Sequence, residues 1–232
     1  AVPSALPGAP AEGPVWETEH YEKAFTTEDG TTLLTVSYSF PHLQNAGDYP
    51  PWQAINEFYY AIQASFVSSA EDLAQQQADE YTLSTQHGWD FVPVREEVRS
   101  TITRLTQHCI SVTRTDYLFY EGAAHPFVSL SSEQLDLTTG TQLRFADCFT
   151  DPQRAAEQAL TAILSSPEGA DLQDSGISSG TLTDALQPEH FYLTDQGFVF
   201  WYQSGDLGTN HSPIEIPISY EIFDGLLQPW VA

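Results

Sequence analysis

The sequence predicts a β-hairpin followed directly by an amphipathic helix, and this order of elements limits the folds that the chain can adopt. The turn Glu28-Asp29-Gly30 separates two strand-like runs, and apolar residues alternate with polar ones over residues 34–40. Pro41 is predicted to end the second strand. Pro50 and Pro51 then open a helix that we expect to extend to about residue 80. Its apolar stripe, at three- and four-residue spacing, comprises Trp52, Ile55, Tyr59, Ile62 and Phe66.

The rest of the chain alternates between strand-like and helix-like patterns. Short runs rich in Thr, Val, Ile and aromatic residues predict strands, and clusters of Gly, Ser and Asp predict loops. In chain order, the predicted elements are two strands over 96–120, a strand over 127–137, a helix that begins at Asp151-Pro152, a loop over 167–181, a hairpin over 191–202 and a last strand. Pro217 lies in this last strand and indicates that the strand is at the edge of its sheet.

This order of elements indicates an α+β fold with antiparallel sheets, because the strands are joined by hairpins and the helices lie between groups of strands. We expect one long helix in the N-terminal half, one or two shorter helices, and two intimately packed lobes. The stretch Ala1–Pro14 is rich in proline and lacks periodicity, so residues 1–14 are predicted to form a flexible stalk. The two lobes are then predicted over residues 15–105 and 106–232.

The charge balance restricts the class of partner. The 232 residues include 32 acidic and 7 basic side chains, which gives a net charge of −25. Nucleic acid and anionic membrane surfaces are disfavoured as partners, since both are bound by clusters of Lys and Arg. The acidic excess suits a cationic partner. No apolar run approaches the roughly 20 residues of a membrane-spanning helix, and the absence of Met favours a processed, exported protein.

Two cysteines leave two structural alternatives open. Cys109 lies in a strand-like run and Cys148 precedes Phe149 in a helix-like segment. In an exported protein the two side chains can form one disulfide. They can equally be two buried apolar thiols, the usual environment of a free cysteine. Cys109 is not expected to be a catalytic nucleophile beside His108 or His125, because a thiol packed in a strand is inert.

Catalytic and metal-binding signatures are weak in this sequence. It has no phosphate-binding glycine loop, no His-Glu-x-x-His helix and no Gly-x-Ser-x-Gly elbow, so no cofactor and no metal is expected. The numerous carboxylates are interpreted as a solvated surface. His125, between a Gly-Ala-Ala run and Pro126, is interpreted as a residue that ties a tight loop to neighbouring backbone rather than as an acid–base group. His211 lies in a polar loop and is a candidate contact residue.

Several motifs resemble one family when they are taken in order. They are Tyr120-Glu121-Gly122-Ala123-Ala124-His125-Pro126, Leu135-Asp136-Leu137-x-Thr139-Gly140, Leu143-Arg144-Phe145-Ala146-Asp147-Cys148-Phe149, Phe191-Tyr192-Leu193-Thr194-Asp195-Gln196-Gly197 and Ile216-Pro217. Together they resemble the RsiV-like domain, also called domain of unknown function 3298, over about residues 110–227. The preceding lobe, residues 15–105, resembles domain of unknown function 4163.

The resemblance implies a binding role outside the cytoplasm. Similar domain pairs form the extracellular part of lysozyme-sensing anti-sigma factors, and similar pairs also precede catalytic domains in some cell-wall deacetylases. This chain departs from the family pattern in two places. Ala123 replaces the second glycine of a Gly-Gly-Ala-His run, and the loop over residues 201–210 lacks the prolines of the loop that contributes to lysozyme contact.

We therefore expect a non-catalytic extracytoplasmic binding or sensing module of the bacterial cell envelope, whose partner is a basic protein such as lysozyme or a cell-wall glycan. One alternative is a glycan-active enzyme or accessory domain that uses cleft carboxylates, with Trp201 and Tyr202 as sugar platforms. Another is a structural envelope lipoprotein. The predicted contact surface comprises Tyr202, Gln203, Asp206, Asn210 and His211 of the loop over residues 202–212, together with His125.

Overall fold

The computed structural model describes residues 12–208 and 210–231. Of the predicted stalk, residues 1–11 lie outside the described residues. The α-helices are α1 Pro50–His87, α2 Pro152–Ser165, α3 Pro167–Asp174 and α4 Ser179–Ala185. The strands are β1 Trp16–Thr26, β2 Thr32–Leu43, β3 Val94–Leu105, β4 Cys109–Tyr120, β5 Phe127–Asp136, β6 Phe191–Leu193, β7 Gly197–Tyr202 and β8 Ile214–Ser219. Two 3₁₀ turns cover Phe145–Cys148 and Tyr220–Phe223.

The strands form a sheet of five in the order β1-β2-β3-β4-β5 and a sheet of three in the order β6-β7-β8. The predicted α+β class is confirmed. One pair departs from the expected antiparallel arrangement, because β2 and β3 pair in parallel. Parallel neighbours need a long crossover connection, which here is α1. Strand β8 lies at an edge of its sheet, as Pro217 predicts.

The chain comprises two compact units. The first includes the residues up to Ser100 together with Thr115–Val128, and the second includes Thr101–Arg114 together with the residues from Ser129 onward. The first unit carries 17 acidic and 3 basic side chains and the second carries 15 and 4, so their net charges are −14 and −11. The acidic excess is therefore a property of both units.

Helix α1 packs its predicted stripe onto β2 in the first unit. Trp52, Ile55 and Tyr59 are buried, and the ring of Phe66 lies 5.6 Å from that of Tyr38 on β2. The helix continues to His87, beyond the predicted end near residue 80. It stops at Gly88, which has a φ of 69° that few residues other than glycine adopt without strain.

The second unit has a core rich in phenylalanine. Phe145 and Phe149 of the segment around the first 3₁₀ turn pack against Phe198 of β7, and the rings of Phe149 and Phe198 stack at 5.2 Å. Phe223 of the second 3₁₀ turn closes the cluster at 5.1 Å from both rings. Helix α2 contributes Ala155, Ala159 and Ile163 to the same core.

Two local predictions are wrong. Strand β2 does not end at Pro41 but continues to Leu43, with Pro41 opposite Thr18 of β1. The pairing between β2 and β3 ends at Ser39. Beyond this residue β2 has no neighbouring strand on that side among the described residues, so Pro41 is tolerated although it has no backbone N–H to donate. The predicted loop over 167–181 contains α3 and the start of α4, so the part of the chain that the structure describes has three helices after α1 where one or two were expected.

Both of these helices begin at a serine cap. The Ser166 hydroxyl accepts the Gly169 N–H at 2.9 Å, and the Ser178 hydroxyl accepts the Thr181 N–H at 3.0 Å. Pro167 occupies the first turn of α3, where a missing N–H costs nothing. Within the described residues, no helix combines the length and the hydropathy that crossing a bilayer requires.

Candidate functional site

The predicted contact loop, defined here as residues 203–212, is attached to β5 by one side chain. The Gln203 amide oxygen accepts the Leu130 N–H at 3.1 Å, and the amide nitrogen donates to the Leu130 carbonyl at 3.0 Å. The same oxygen also accepts the Ser204 N–H at 3.1 Å. The Gln203 side chain therefore bonds to β5 as a neighbouring strand would, and both ends of its amide are hydrogen-bonded to backbone groups.

Asp206 and Asn210 shape the interior of the loop. The Asp206 carboxylate accepts the Gln203 N–H at 2.7 Å. The Asn210 side-chain oxygen accepts the Leu207 N–H at 3.1 Å, and its nitrogen donates to the carbonyls of Gln203 and Ser212 at 2.8 and 3.0 Å. These bonds give the loop a defined conformation before any partner binds. Thr209 lies outside the described residues.

The side chains that face solvent in this loop are few. His211 and Ser212 are exposed, as are Gly205 and Gly208, whose φ values of 86° and 91° allow the backbone to turn sharply. Of the four residues predicted as contacts within this loop, the structure places His211 on the surface. Gln203, Asp206 and Asn210 are half-buried and maintain the shape of the loop.

Tyr202 is not a surface residue. Its side chain is completely buried, its hydroxyl donates to the Leu182 carbonyl at 2.9 Å, and burial raises its pKa to about 12. Trp201 is 4 % exposed, and its ring stacks on that of His190 at 3.8 Å. The prediction that Tyr202 contacts a partner is therefore wrong. Neither ring offers a face to a sugar, so the glycan alternative loses its two proposed platforms.

His125 is exposed in the turn between β4 and β5, in the first unit. Its Nδ1 atom lies 3.4 Å from the Pro126 carbonyl, which agrees with the interpretation of a ring that contacts nearby backbone. Phe127, two residues later, is 66 % exposed. The turn therefore presents an imidazole and a phenyl ring to solvent. The loop over 203–212 belongs to the second unit.

Neither cysteine is reactive in this structure. Cys109 and Cys148 are buried free thiols, so of the two alternatives the structure has the thiols and not the disulfide. Burial raises the pKa of Cys109 to about 11, and burial followed by the proximity of Cys109 raises the pKa of Cys148. Both groups are therefore protonated at neutral pH, and a nucleophilic role is contradicted.

One group of metal-ligating side chains was not anticipated from the sequence. Glu17 and Glu19 of β1 and His42 of β2 each present one ligand atom, and the three atoms lie within 4.8 Å of one another. All three residues belong to the first unit. Alternate residues of a strand share a face, and the pairing of Glu17 with His42 places the imidazole on that face.

Several basic side chains bind acidic or other polar groups of the protein itself, and two of them, Lys23 and Arg99, do so at the surface. Lys23, Arg99 and Arg114 form ion pairs with Glu71, Glu97 and Glu133. Arg104 donates to the Tyr220 hydroxyl at 2.8 Å and to the Val231 carbonyl at 2.5 Å. Among the described acidic residues, burial is confined to Glu96 and Glu133. The remaining carboxylates are wholly or partly accessible to solvent.

Comparison with known proteins relates this fold to one family. No family model matches the chain, and no curated protein matches it. A solved member of the DUF3298 family from Bacteroides fragilis superposes with a TM-score of 0.66 at 15 % identity, over 93 % of this chain and 94 % of the other. A DUF3298 family protein from Pseudomonas aeruginosa PAO1 superposes with a TM-score of 0.59 at 13 % identity, over 94 % and 96 %.

The assignment of residues 15–105 to domain of unknown function 4163 stays a prediction, as does the likeness to RsiV-like sensors. At these identities a structural match establishes the fold. The sequence motifs quoted above predict the same relationship independently of the structure. The chain therefore has the fold of DUF3298 family proteins.

Proposed function

We propose that this protein is a non-catalytic, extracytoplasmic binding module that recognises a cationic protein through the loop over residues 203–212. The observation that carries the proposal is the internal bonding of this loop. Gln203, Asp206 and Asn210 hold its backbone, while His211 and the two glycines face solvent. A pre-organised loop binds at a lower entropic cost than one that must be ordered by its partner.

The charge distribution supports a basic partner. Both units carry a net negative charge, and the ion pairs described above join several of the few cations to carboxylates of the protein itself. Such a surface attracts a basic protein over a distance of about one Debye length, roughly 8 Å at physiological ionic strength. Electrostatic attraction alone would raise the association rate, whereas a specific complex also requires fitted short-range contacts.

The exposed turn with His125 and Phe127 supports a second contact surface on the first unit. Phe127 exposes two thirds of its side chain, and aromatic rings of this kind anchor many protein–protein interfaces. The turn has a stable shape of its own, since the Ala123 N–H donates to the Tyr120 carbonyl at 3.0 Å and Gly122 has a φ of 86°. A partner that uses this surface would cover the Phe127 ring.

Calorimetric titration with a C-type lysozyme, at low and at physiological salt, tests the proposal. The expected result is saturable one-to-one binding that persists at about 0.15 M salt. Binding confined to low salt would indicate general attraction between opposite charges and would overturn the lysozyme assignment. A structural lipoprotein predicts no saturable binding at either salt concentration.

Substitutions in the loop then locate the surface. His211→Ala removes an exposed ring, and Asn210→Ala removes the bonds that hold the loop. We expect Asn210→Ala to weaken binding about tenfold, because re-ordering the loop costs on the order of 1 kcal/mol. His108→Ala, an exposed histidine in the turn between β3 and β4 of the same unit, is the matched control. Equal affinities for all three variants and the unaltered chain would contradict a role for the loop.

A further inference from the structure

The three residues Glu17, Glu19 and His42 lie on the face of the β1–β2 hairpin that packs against α1. Glu17 is directly opposite His42 in the antiparallel register, and Glu19 follows two residues later on the same side of β1. One carboxylate oxygen from each glutamate and one imidazole nitrogen lie within 4.8 Å of one another. A single cation placed among these atoms can contact all three.

Neighbouring side chains orient these ligands. The Tyr60 hydroxyl of α1 donates to Glu19 Oε1 at 3.2 Å, and the Tyr60 ring packs against the His42 ring at 5.6 Å. The Gln44 side-chain amide donates to the second oxygen of Glu17. Outer groups of this kind fix the orientation of metal ligands and contribute to affinity in known sites. Glu19 and His42 are half-buried, and Glu17 is exposed, which leaves an entry path from solvent.

The local charge favours a cation. The two carboxylates lie on one strand face, and His42 Nδ1 is 3.5 Å from Glu19 Oε1. The neighbouring cation on that face, Lys23, pairs with Glu71 of α1 at 3.5 Å and packs over the Phe25 ring. Lys23 therefore does not neutralise the pair of glutamates. A divalent cation would balance both charges at once.

We propose that Glu17, Glu19 and His42 form a binding site for a divalent transition metal, of which Zn²⁺ is the representative case. The imidazole donor favours Zn²⁺ and its neighbours in the first transition row over Ca²⁺ and Mg²⁺, which prefer sites made only of oxygen. Three protein ligands leave a further coordination position for water or for a group from a partner. The metal would join β1, an edge strand, to β2.

The proposal is independent of lysozyme recognition and is tested with the metal alone. The untagged protein, treated with a chelator and then freed of it, is titrated with ZnCl₂ in a calorimeter. We expect one saturable site and a rise in Tm on addition of zinc. His42→Ala and Glu19→Gln should each weaken binding roughly tenfold or more. Glu17→Gln changes an exposed side chain, so we expect it to leave the fold intact and to weaken binding in the same direction.

Two substitutions on the opposite face of β1 serve as matched controls. His20→Ala removes an exposed imidazole and Glu22→Gln removes an exposed carboxylate, so the two controls repeat the chemistry of His42→Ala and Glu17→Gln at positions outside the proposed site. Both should leave the zinc affinity unchanged. No saturable binding, or equal affinity in the unaltered chain and in Glu17→Gln and His42→Ala, would overturn the proposal. A loss of affinity in His20→Ala would assign the metal to another site.

Discussion

Gln203 bonds both backbone groups of Leu130, accepting from its N–H at 3.1 Å and donating to its carbonyl at 3.0 Å. The two residues are 73 positions apart in the chain. A side-chain amide can replace a neighbouring strand in this way because it carries one acceptor and two donors with the same chemistry as a peptide group. The start of the 203–212 loop is therefore fixed to β5 by a single side chain.

Replacing this side chain should destabilise the second unit. Gln203→Ala leaves the N–H and the carbonyl of Leu130 without their partner in a partly buried environment. We expect the free energy of unfolding to fall by about 1–3 kcal/mol, the cost of an unsatisfied buried polar group. Gln153→Ala, at an exposed position of α2, is the matched control and should change stability by less than about 0.5 kcal/mol. Urea denaturation of both variants measures the difference, and equal stabilities would contradict the role assigned to Gln203.

Glu96 predicts a dependence of stability on pH. Burial raises its pKa above the ordinary value of 4.5, the Tyr38 hydroxyl that donates to it opposes this shift, and the charge of Asp116 adds to it. The folded protein therefore retains the Glu96 proton at pH values where the unfolded chain has lost it. The stabilising contribution is complete below 4.5 and is lost as pH rises through the elevated folded pKa.

Glu96→Gln should remove this dependence, because the neutral amide does not ionise. We expect the stability of the unaltered protein to fall relative to that of Glu96→Gln between about pH 4 and the folded pKa, and the difference to be constant above it. Glu22→Gln, an exposed carboxylate on β1, is the control and should follow the unaltered protein. Denaturant unfolding measured at a series of pH values gives both curves. Parallel curves for Glu96→Gln and the unaltered protein would refute the prediction.

The cysteines should be unreactive in the native protein and reactive once it unfolds. Cys109 and Cys148 are completely buried, and burial raises both thiol pKa values. We expect an aromatic disulfide reagent at about pH 8 to label neither thiol in the native state and to label both in denaturant. Fast labelling of the native protein would contradict their burial. Absence of free thiol in the denatured protein would instead support the disulfide alternative.

Gly197 occupies a position in β7 that has no space for a methyl group. A Cβ atom at this residue would lie 2.1 Å from the Ile218 carbonyl oxygen of β8 and 2.9 Å from its carbonyl carbon. Because these are backbone atoms of a paired strand, they cannot yield without disturbing the ladder. We expect Gly197→Ala to destabilise the protein by about 3 kcal/mol. Gly13→Ala, where nothing lies within 4 Å of the added atom, should be neutral, and thermal unfolding of the pair provides the comparison.

The sequence predicts helices and strands more reliably than it predicts the contacts between residues that are distant in the chain. The stripe of α1 and the alternation of β2 arise from local periodicity, and both are present in the structure. Helices α3 and α4 are absent from the prediction because Gly, Ser and Asp dominate their segment. Their start signals were nonetheless present in the sequence, as Ser166 before Pro167 and as Ser178.

The candidate metal site was missed because the second strand was predicted to end at Pro41. A strand that ends at Pro41 excludes His42 from the hairpin and so removes its pairing with Glu17. The alternation of Glu17 and Glu19 was visible in the sequence, but the register that places His42 opposite Glu17 depends on where β2 ends and on the irregularity at Phe25 and Thr26.

Burial of Trp201 and Tyr202 did have a signal in the sequence. Residues 198–202 are uniformly apolar and aromatic, a pattern typical of a strand buried on both faces, and all six residues of β7 are buried. The role of Gln203 had no such signal, because its bond to Leu130 joins positions that only the folded chain brings together. Asp206 and Asn210 were located correctly in a loop, but their bonds are directed inward.

Recognition of a cationic protein by the loop over residues 203–212 is tested most sharply by an NMR titration of the labelled protein with a C-type lysozyme at physiological salt, in which the backbone amide shifts report the contact surface. We expect saturable shifts concentrated in residues 203–212, with His211 and Ser212 among the most affected, and smaller shifts around His125 and Phe127. Shifts spread evenly over the acidic surface that disappear when salt is raised would contradict it, as would saturable shifts that leave residues 203–212 unchanged.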